Sequence, residues 1–108
     1  MEKYSVILTP EFKMMLNETI NYYSKFSNLF SYDIIRELES ACKVISYFPY
    51  IAPKFKNNEN IRKVIIKDRF ILIYKIKNKQ VILRHFIDGR MQNNNLELNE
   101  TVELIYQI

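Results

Sequence analysis

Residues 61–90 read IRKVIIKDRFILIYKIKNKQVILRHFIDGR. Three runs rich in Ile, Val, Phe and Tyr are separated by Lys67-Asp68-Arg69 and by Lys77-Asn78-Lys79-Gln80. Apolar and polar residues alternate within the runs, most cleanly Phe70, Leu72, Tyr74 and Ile76 against Lys75 and Lys77. Period-two alternation broken by short polar turns predicts three antiparallel strands in a meander. In the last run the same alternation puts Val81, Leu83, His85 and Ile87 on one face and Ile82, Arg84 and Phe86 on the other. Charge sets this stretch apart. Residues 54–90 hold eleven Lys/Arg against Glu59, Asp68 and Asp88, a balance of +8, whereas the remainder of the chain stands at −4. The basic charge is thus confined to the meander and the loop leading into it.

Upstream, residues 3–8 predict a short strand with Tyr4, Val6 and Leu8 on one side. Thr9-Pro10-Glu11 is a helix start: a capping hydroxyl, a proline at the first helical position and an acid near the positive end of the dipole. Phe12, Met15, Leu16, Ile20, Tyr23 and Phe26 recur at helical spacing and predict one apolar stripe on a helix ending near Phe26. Ser27-Asn28 opens a second helix, with Ile34, Ile35, Leu38, Cys42 and Ile45 facing inward, which Phe48-Pro49 stops. So short a link between helices predicts an antiparallel αα-hairpin. The loop over residues 49–60 reads as exposed, and Asn93-Asn94-Asn95 reads as a linker to an amphipathic tail, 96–108, compatible with helix or strand.

The expected fold is therefore α+β: an N-terminal strand, an αα-hairpin, then a three-stranded antiparallel meander completing a twisted sheet. One domain over 1–92 is expected, with 93–108 as a tail that packs on it or binds a partner. A chain of 108 residues suits a single core. The single Cys42 and the absence of a secretory pattern lead to the expectation of a reducing cytoplasm, and no apolar run of membrane-spanning length occurs. With one glycine and no Cys/His cluster, the sequence calls for no phosphate loop, no cofactor and no metal.

This order of elements resembles the RelE/ParE superfamily, the toxins of type II toxin–antitoxin modules. The matching features are Tyr4–Leu8, Pro10-Glu11-Phe12, Tyr22-Tyr23 and Phe48-Pro49, followed by Arg62, Arg69-Phe70-Ile71-Leu72-Ile73-Tyr74, Val81 to Phe86 and Asp88-Gly89-Arg90. The resemblance implies a bacterial, cytoplasmic growth inhibitor with a role in plasmid stabilisation, held by a cognate antitoxin whose acidic, amphipathic segment covers the basic surface. It offers two targets: the ribosome with mRNA, which RelE-like members cleave without a metal, and DNA gyrase, which ParE-like members inhibit by binding. Where nuclease members tend to carry an arginine after Phe70, this chain has Ile71, and a catalytic tyrosine in the tail is not evident, since Tyr106 lies far beyond the matched region. The departure ranks gyrase inhibition above mRNA cleavage, with a non-toxic binding module of the same fold as a third reading.

On the resemblance, Arg62 and Arg90 are the catalytic candidates should the chain cleave mRNA. Lys54, Lys56, Arg62, Lys63, Arg84 and Arg90 are the candidates for holding a target or phosphate. The residues also admit plainer readings: His85 and Tyr74 as packed sheet residues, Arg84 and Arg62 as partners of helix carboxylates, and Lys75, Lys77 and Lys79 as a solvated edge. Cys42 reads as packing. No recognition helix or stacking motif is present, so the chain alone is not expected to read DNA sequence.

Overall fold

The computed structural model describes residues 2–89. Strand β1 (Ser5–Leu8) leads into helix α1 (Pro10–Ser24) and helix α2 (Asn28–Tyr47). A short strand β2 (Lys54–Phe55) then precedes the meander of β3 (Asn58–Ile66), β4 (Phe70–Lys77) and β5 (Gln80–Asp88). These form one sheet in the order β1-β5-β4-β3-β2, with β1 parallel to β5 and the other neighbours antiparallel. The α+β architecture expected from the sequence is the one observed, with β2 as an additional strand. The expected linker and tail, and Arg90, lie outside the described residues.

Local chemistry accounts for the element boundaries. Thr9 is extended at φ −71°, ψ 157°, and its hydroxyl accepts the Phe12 N–H at 3.2 Å while donating to the Leu83 carbonyl at 2.9 Å. One side chain thereby caps α1 and ties it to β5. Ser27 does the same local work for α2, accepting the Phe30 N–H at 3.1 Å. With a single glycine in the chain, the tight turns are built from other residues. Asn78 and Lys79 sit at φ 51° and 60°, as a two-residue type I′ hairpin loop requires, and Lys67 and Asp68 at 55° and 54° begin the three-residue connection from Ile66 to Phe70.

Both helices pack on one face of the sheet. Phe12, Ile34, Leu38 and Ile45 meet Ile66, Phe70, Leu72, Tyr74, Ile76, Val81, Leu83 and Phe86 there. Phe70 stacks on Phe86 at 5.4 Å, and Phe12 meets Phe86 edge-on at 5.9 Å. A second cluster, Phe55, Ile61, Ile73 and Ile87, is separate from this core.

Four expectations are corrected. Phe86 does not share a face with Ile82 and Arg84. The β4–β5 register runs Ile73↔His85 and then Tyr74↔Leu83, so Arg84 is an extra residue that turns the end of β5 over. Val81, Leu83 and Phe86 consequently point to the helices, while Ile87 joins the second cluster. Phe26 is 72% exposed, because α1 ends at Ser24 and the stripe loses its register in the turn. On α2, Ile35 faces outward and Ser31 takes an inward place, its hydroxyl near that of Ser24 at 2.9 Å. The loop before β3 is also less exposed than its composition suggests: Pro49, Ala52 and Phe55 are buried.

Candidate functional site

Arg62 stands on the helix side of β3, opposite Tyr74, and is buried. Its Nε donates to the Glu59 carbonyl at 3.0 Å and its Nη1 to the carbonyls of Tyr50 and Ala52 at 3.2 and 2.9 Å. Its Nη2 bonds the Glu59 carboxylate at 3.1 Å, and the guanidinium lies 5.1 Å from the Tyr50 ring centroid. Beside it the buried Tyr74 hydroxyl donates to the Pro49 carbonyl at 2.6 Å, with burial pushing its pKa up to about 12. Arg62 and Tyr74 therefore hold the loop from α2 to β2. A guanidinium with this many protein partners is a clamp first.

The other basic candidates divide. Lys54 pairs with Glu59 at 2.7 Å, and that lysine is the main cause of the lowered pKa of the Glu59 carboxyl. Lys56 lies in the β2–β3 turn at φ 53° and is exposed. Lys63 points to the sheet face opposite the helices, in the cross-strand row Lys63–Ile73–His85. Arg84 is at the β5 bulge, two strands away. The structure thus gathers Lys54, Lys56, Arg62 and Lys63 at the β2–β3 end and sets Arg84 apart. By alternation from Phe70, Leu72, Tyr74 and Ile76, the face opposite the helices also carries Lys75 and Lys77. Ile71 lies there too, against the second apolar cluster.

His85, on the same face, is buried, and its pKa is lowered by that burial and by Arg84, against a smaller opposing pull from Glu11. Burial, with a small push from Glu39, raises the Cys42 thiol to about 11. The Cys42 thiol is therefore not prepared as a nucleophile near neutral pH.

A cluster that the charge count did not single out closes the far end of the sheet. Arg69 lies over three rings, 4.9 Å from the centroid of Phe30, 5.5 Å from Tyr23 and 5.9 Å from Phe70. The Tyr23 hydroxyl donates to the Asp88 carboxylate, and its pKa is raised by burial and by Asp88, against Arg69. The Gly89 N–H donates to the Arg69 carbonyl at 2.9 Å, and a Cβ at Gly89 would stand 3.0 Å from that oxygen. This corner fixes where the chain leaves β5 toward Arg90. Its only sequence signal was the recurrence of Tyr22-Tyr23, Arg69-Phe70 and Asp88-Gly89 in the resemblance; the contact itself joins α1, α2, β4 and β5.

A second surface is apolar. Between α2 and the edge of β3, a groove of about 470 Å³ is lined by Val44, Ile45, Ile51, Pro53, Val64 and Ile65, among others. Ile51 and Ile65 are 65% and 58% exposed there. The Lys63 N–H donates outward to the Pro53 carbonyl, so by strand alternation the Ile65 backbone also points outward, beyond the last β2 pairing at Arg62.

The fold agrees with the comparisons. Residues 6–93 match the model of the ParE toxin of the type II toxin–antitoxin system parDE, and the chain belongs to that family. A solved structure of the chromosomal ParDE TA system from P. aeruginosa is similar over 80% of this chain and 96% of that one, with a TM-score of 0.66 and 11% identity. At that identity the likeness is one of fold. No curated protein matches the chain. No described helix is long and apolar enough to cross a membrane.

Proposed function

We propose that this ParE-family toxin acts by binding and inhibiting DNA gyrase through the basic sheet face and its C-terminal end, and that a cognate antitoxin neutralises it. The observation that carries the binding mechanism is the state of the groups a nuclease would need. Ile71 stands in an apolar cluster where the nuclease branch tends to place an arginine, and Arg62 is committed to loop carbonyls and Glu59. Cleavage through a 2′-hydroxyl requires a base for that oxygen and cations for the phosphate. The Tyr23 hydroxyl donates to the Asp88 carboxylate and, its own pKa raised by burial and by Asp88, holds its proton. Binding alone requires no such groups.

Family membership implies an antitoxin partner, and the surface divides its tasks. Lysines on the sheet face steer an acidic segment. The groove between α2 and β3, with Ile51 and Ile65 exposed, receives apolar anchors, and the outward Ile65 backbone is available to an added strand. Ile65→Lys is expected to weaken the antitoxin complex at least tenfold by calorimetry with little effect on folding; unchanged affinity removes the groove from the interface.

The mechanism is tested by brief induction in a bacterial host, reading plasmid supercoiling and mRNA ends from the same cells. Altered supercoiling or linearised plasmid with intact mRNA is expected. New ends within translated codons with normal plasmid topology would overturn the gyrase reading.

A further inference from the structure

We propose that the outer edge of β1, with the groove between it and α2, is a self-association surface. A second copy of this chain docks there about a two-fold axis, with the two β1 strands antiparallel. The first observation is the backbone. Among the described residues β1 has a neighbouring strand on one side only, β5. The Ser5 and Thr9 N–H groups donate to the Lys79 and Leu83 carbonyls, so by alternation those of Val6 and Leu8 point away from β5. Tyr4 shares that outward direction, and its N–H donates to the Ser46 carbonyl at 2.7 Å. The strand itself, Ser-Val-Ile-Leu, carries no charge or proline to blunt the edge.

The second observation is the groove. Val6 and Leu8 pair with Val81 and Leu83, which face the helices, so their side chains stand on the helix side of the edge. Helix α2 runs beside them. A groove of about 460 Å³ opens between, lined by Val6, Leu8, Leu38, Glu39, Cys42 and Lys43, among others. Leu8 is 38% exposed and Ile7, on the other side of the strand, 40%. A strand added one inter-strand spacing away, about 4.8 Å, sends alternate side chains into this groove. Because β1 is short, the groove supplies most of the buried apolar area.

The third observation is self-complementarity, which makes a second copy the occupant. A two-fold axis perpendicular to the sheet sets two copies of one strand antiparallel and keeps both pairs of helices on the same side. Centred on Ile7, it pairs each copy's Val6 with the other's Leu8 and satisfies the outward N–H and carbonyl groups of both residues. Ile7 then meets Ile7. Lys3 stands four positions before Ile7 and Glu11 four after, so each copy's Lys3 comes to the other's Glu11. Centring on Val6 would instead oppose Lys3 to Thr9. On α2, Glu39 and Lys43 lie one turn apart along the groove, and antiparallel helices set Glu39 of one copy toward Lys43 of the other. Both pairs are of opposite sign in the reversed order that the axis imposes. This edge lies across the sheet from the groove between α2 and β3, so the pairing does not rest on the proposed function.

Sedimentation velocity on the full-length chain tests the pairing without reference to toxicity. The wild-type protein is expected to pass from monomer to dimer as its concentration rises. Ile7→Lys, which sets two lysines across the axis, should weaken dimerisation at least tenfold with an unchanged circular dichroism spectrum. Glu39→Lys and Lys43→Glu should each weaken it alone, and mixing these two variants should restore a dimer holding one copy of each. A wild-type chain that stays monomeric at every soluble concentration would overturn the proposal. So would a dimer indifferent to Ile7→Lys, or a mixture of the charge variants that associates no better than its components.

Discussion

Arg62 shows how a residue type can be read from sequence while its role cannot. A basic residue near the start of a basic meander is an obvious phosphate candidate, but its bonds to Tyr50 and Ala52 come from a loop ten and twelve residues upstream. Arg62→Ala should lower unfolding stability in urea by roughly 2–3 kcal/mol, because buried carbonyls lose their donor. Arg62→Lys should recover less than half of that, since one ammonium cannot replace the fork. A fully stable Arg62→Ala protein that loses toxicity would return the residue to the target site. His85 gives a pH prediction. Its folded pKa lies below the ordinary 6.5, chiefly through burial and then through Arg84. Between those values the unfolded chain binds the extra proton, so His85 contributes stability that is complete above pH 6.5 and is lost as pH falls toward the folded value. Thermal unfolding of His85→Gln should show a shallower loss between pH 7 and 5 than the wild-type protein; an equal slope would place the titrating group elsewhere.

Among the elements, those with strong local signals were legible in the sequence. Thr9-Pro10, Ser27-Asn28 and Phe48-Pro49 mark both helices, and the polar pairs Lys67-Asp68 and Asn78-Lys79 mark both hairpin turns. What escaped was set by pairing between strands. The extra residue at Arg84 is visible only against β4, and without it the alternation assigns Phe86 to the wrong face. Strand β2 is too short for any pattern, being two residues held by β3. The Arg69–Tyr23–Asp88 corner joins four elements, which no local spacing reports. The turns also carry a correctable strain. Lys79 at φ 60° is a left-handed residue with a Cβ, and Lys79→Gly, completing the favoured Asn-Gly pair, should raise stability by about 1 kcal/mol. Its exposed pair with Glu2 is a minor loss. A decrease in urea midpoint would show that the pair or the lysine stem matters more than backbone strain. At the other end of β1, Thr9→Ala should cost about 1 kcal/mol, typical of a lost N-cap, with its bond to Leu83 adding to that figure.

At the scale of the molecule, one sheet separates two chemistries. Its helix-covered face holds the aromatic core, while its second face and rim hold lysines around isoleucines, and its β3 edge opens an apolar groove. The local balance of +8 over residues 54–90 was readable by counting. Which lysines share a face follows from register, and the groove follows from the packing of α2 on β3. Such an arrangement suits a toxin that works as a plug for a macromolecular target. The most direct measurement is supercoiling of relaxed plasmid by purified gyrase in the presence of the purified chain. The wild-type protein is predicted to inhibit in proportion to its concentration, and the Lys63→Glu, Lys75→Glu, Lys77→Glu triple variant, folded by circular dichroism, to be at least tenfold weaker. Undiminished supercoiling at every concentration, together with codon-dependent cleavage of mRNA on purified ribosomes, would contradict the account.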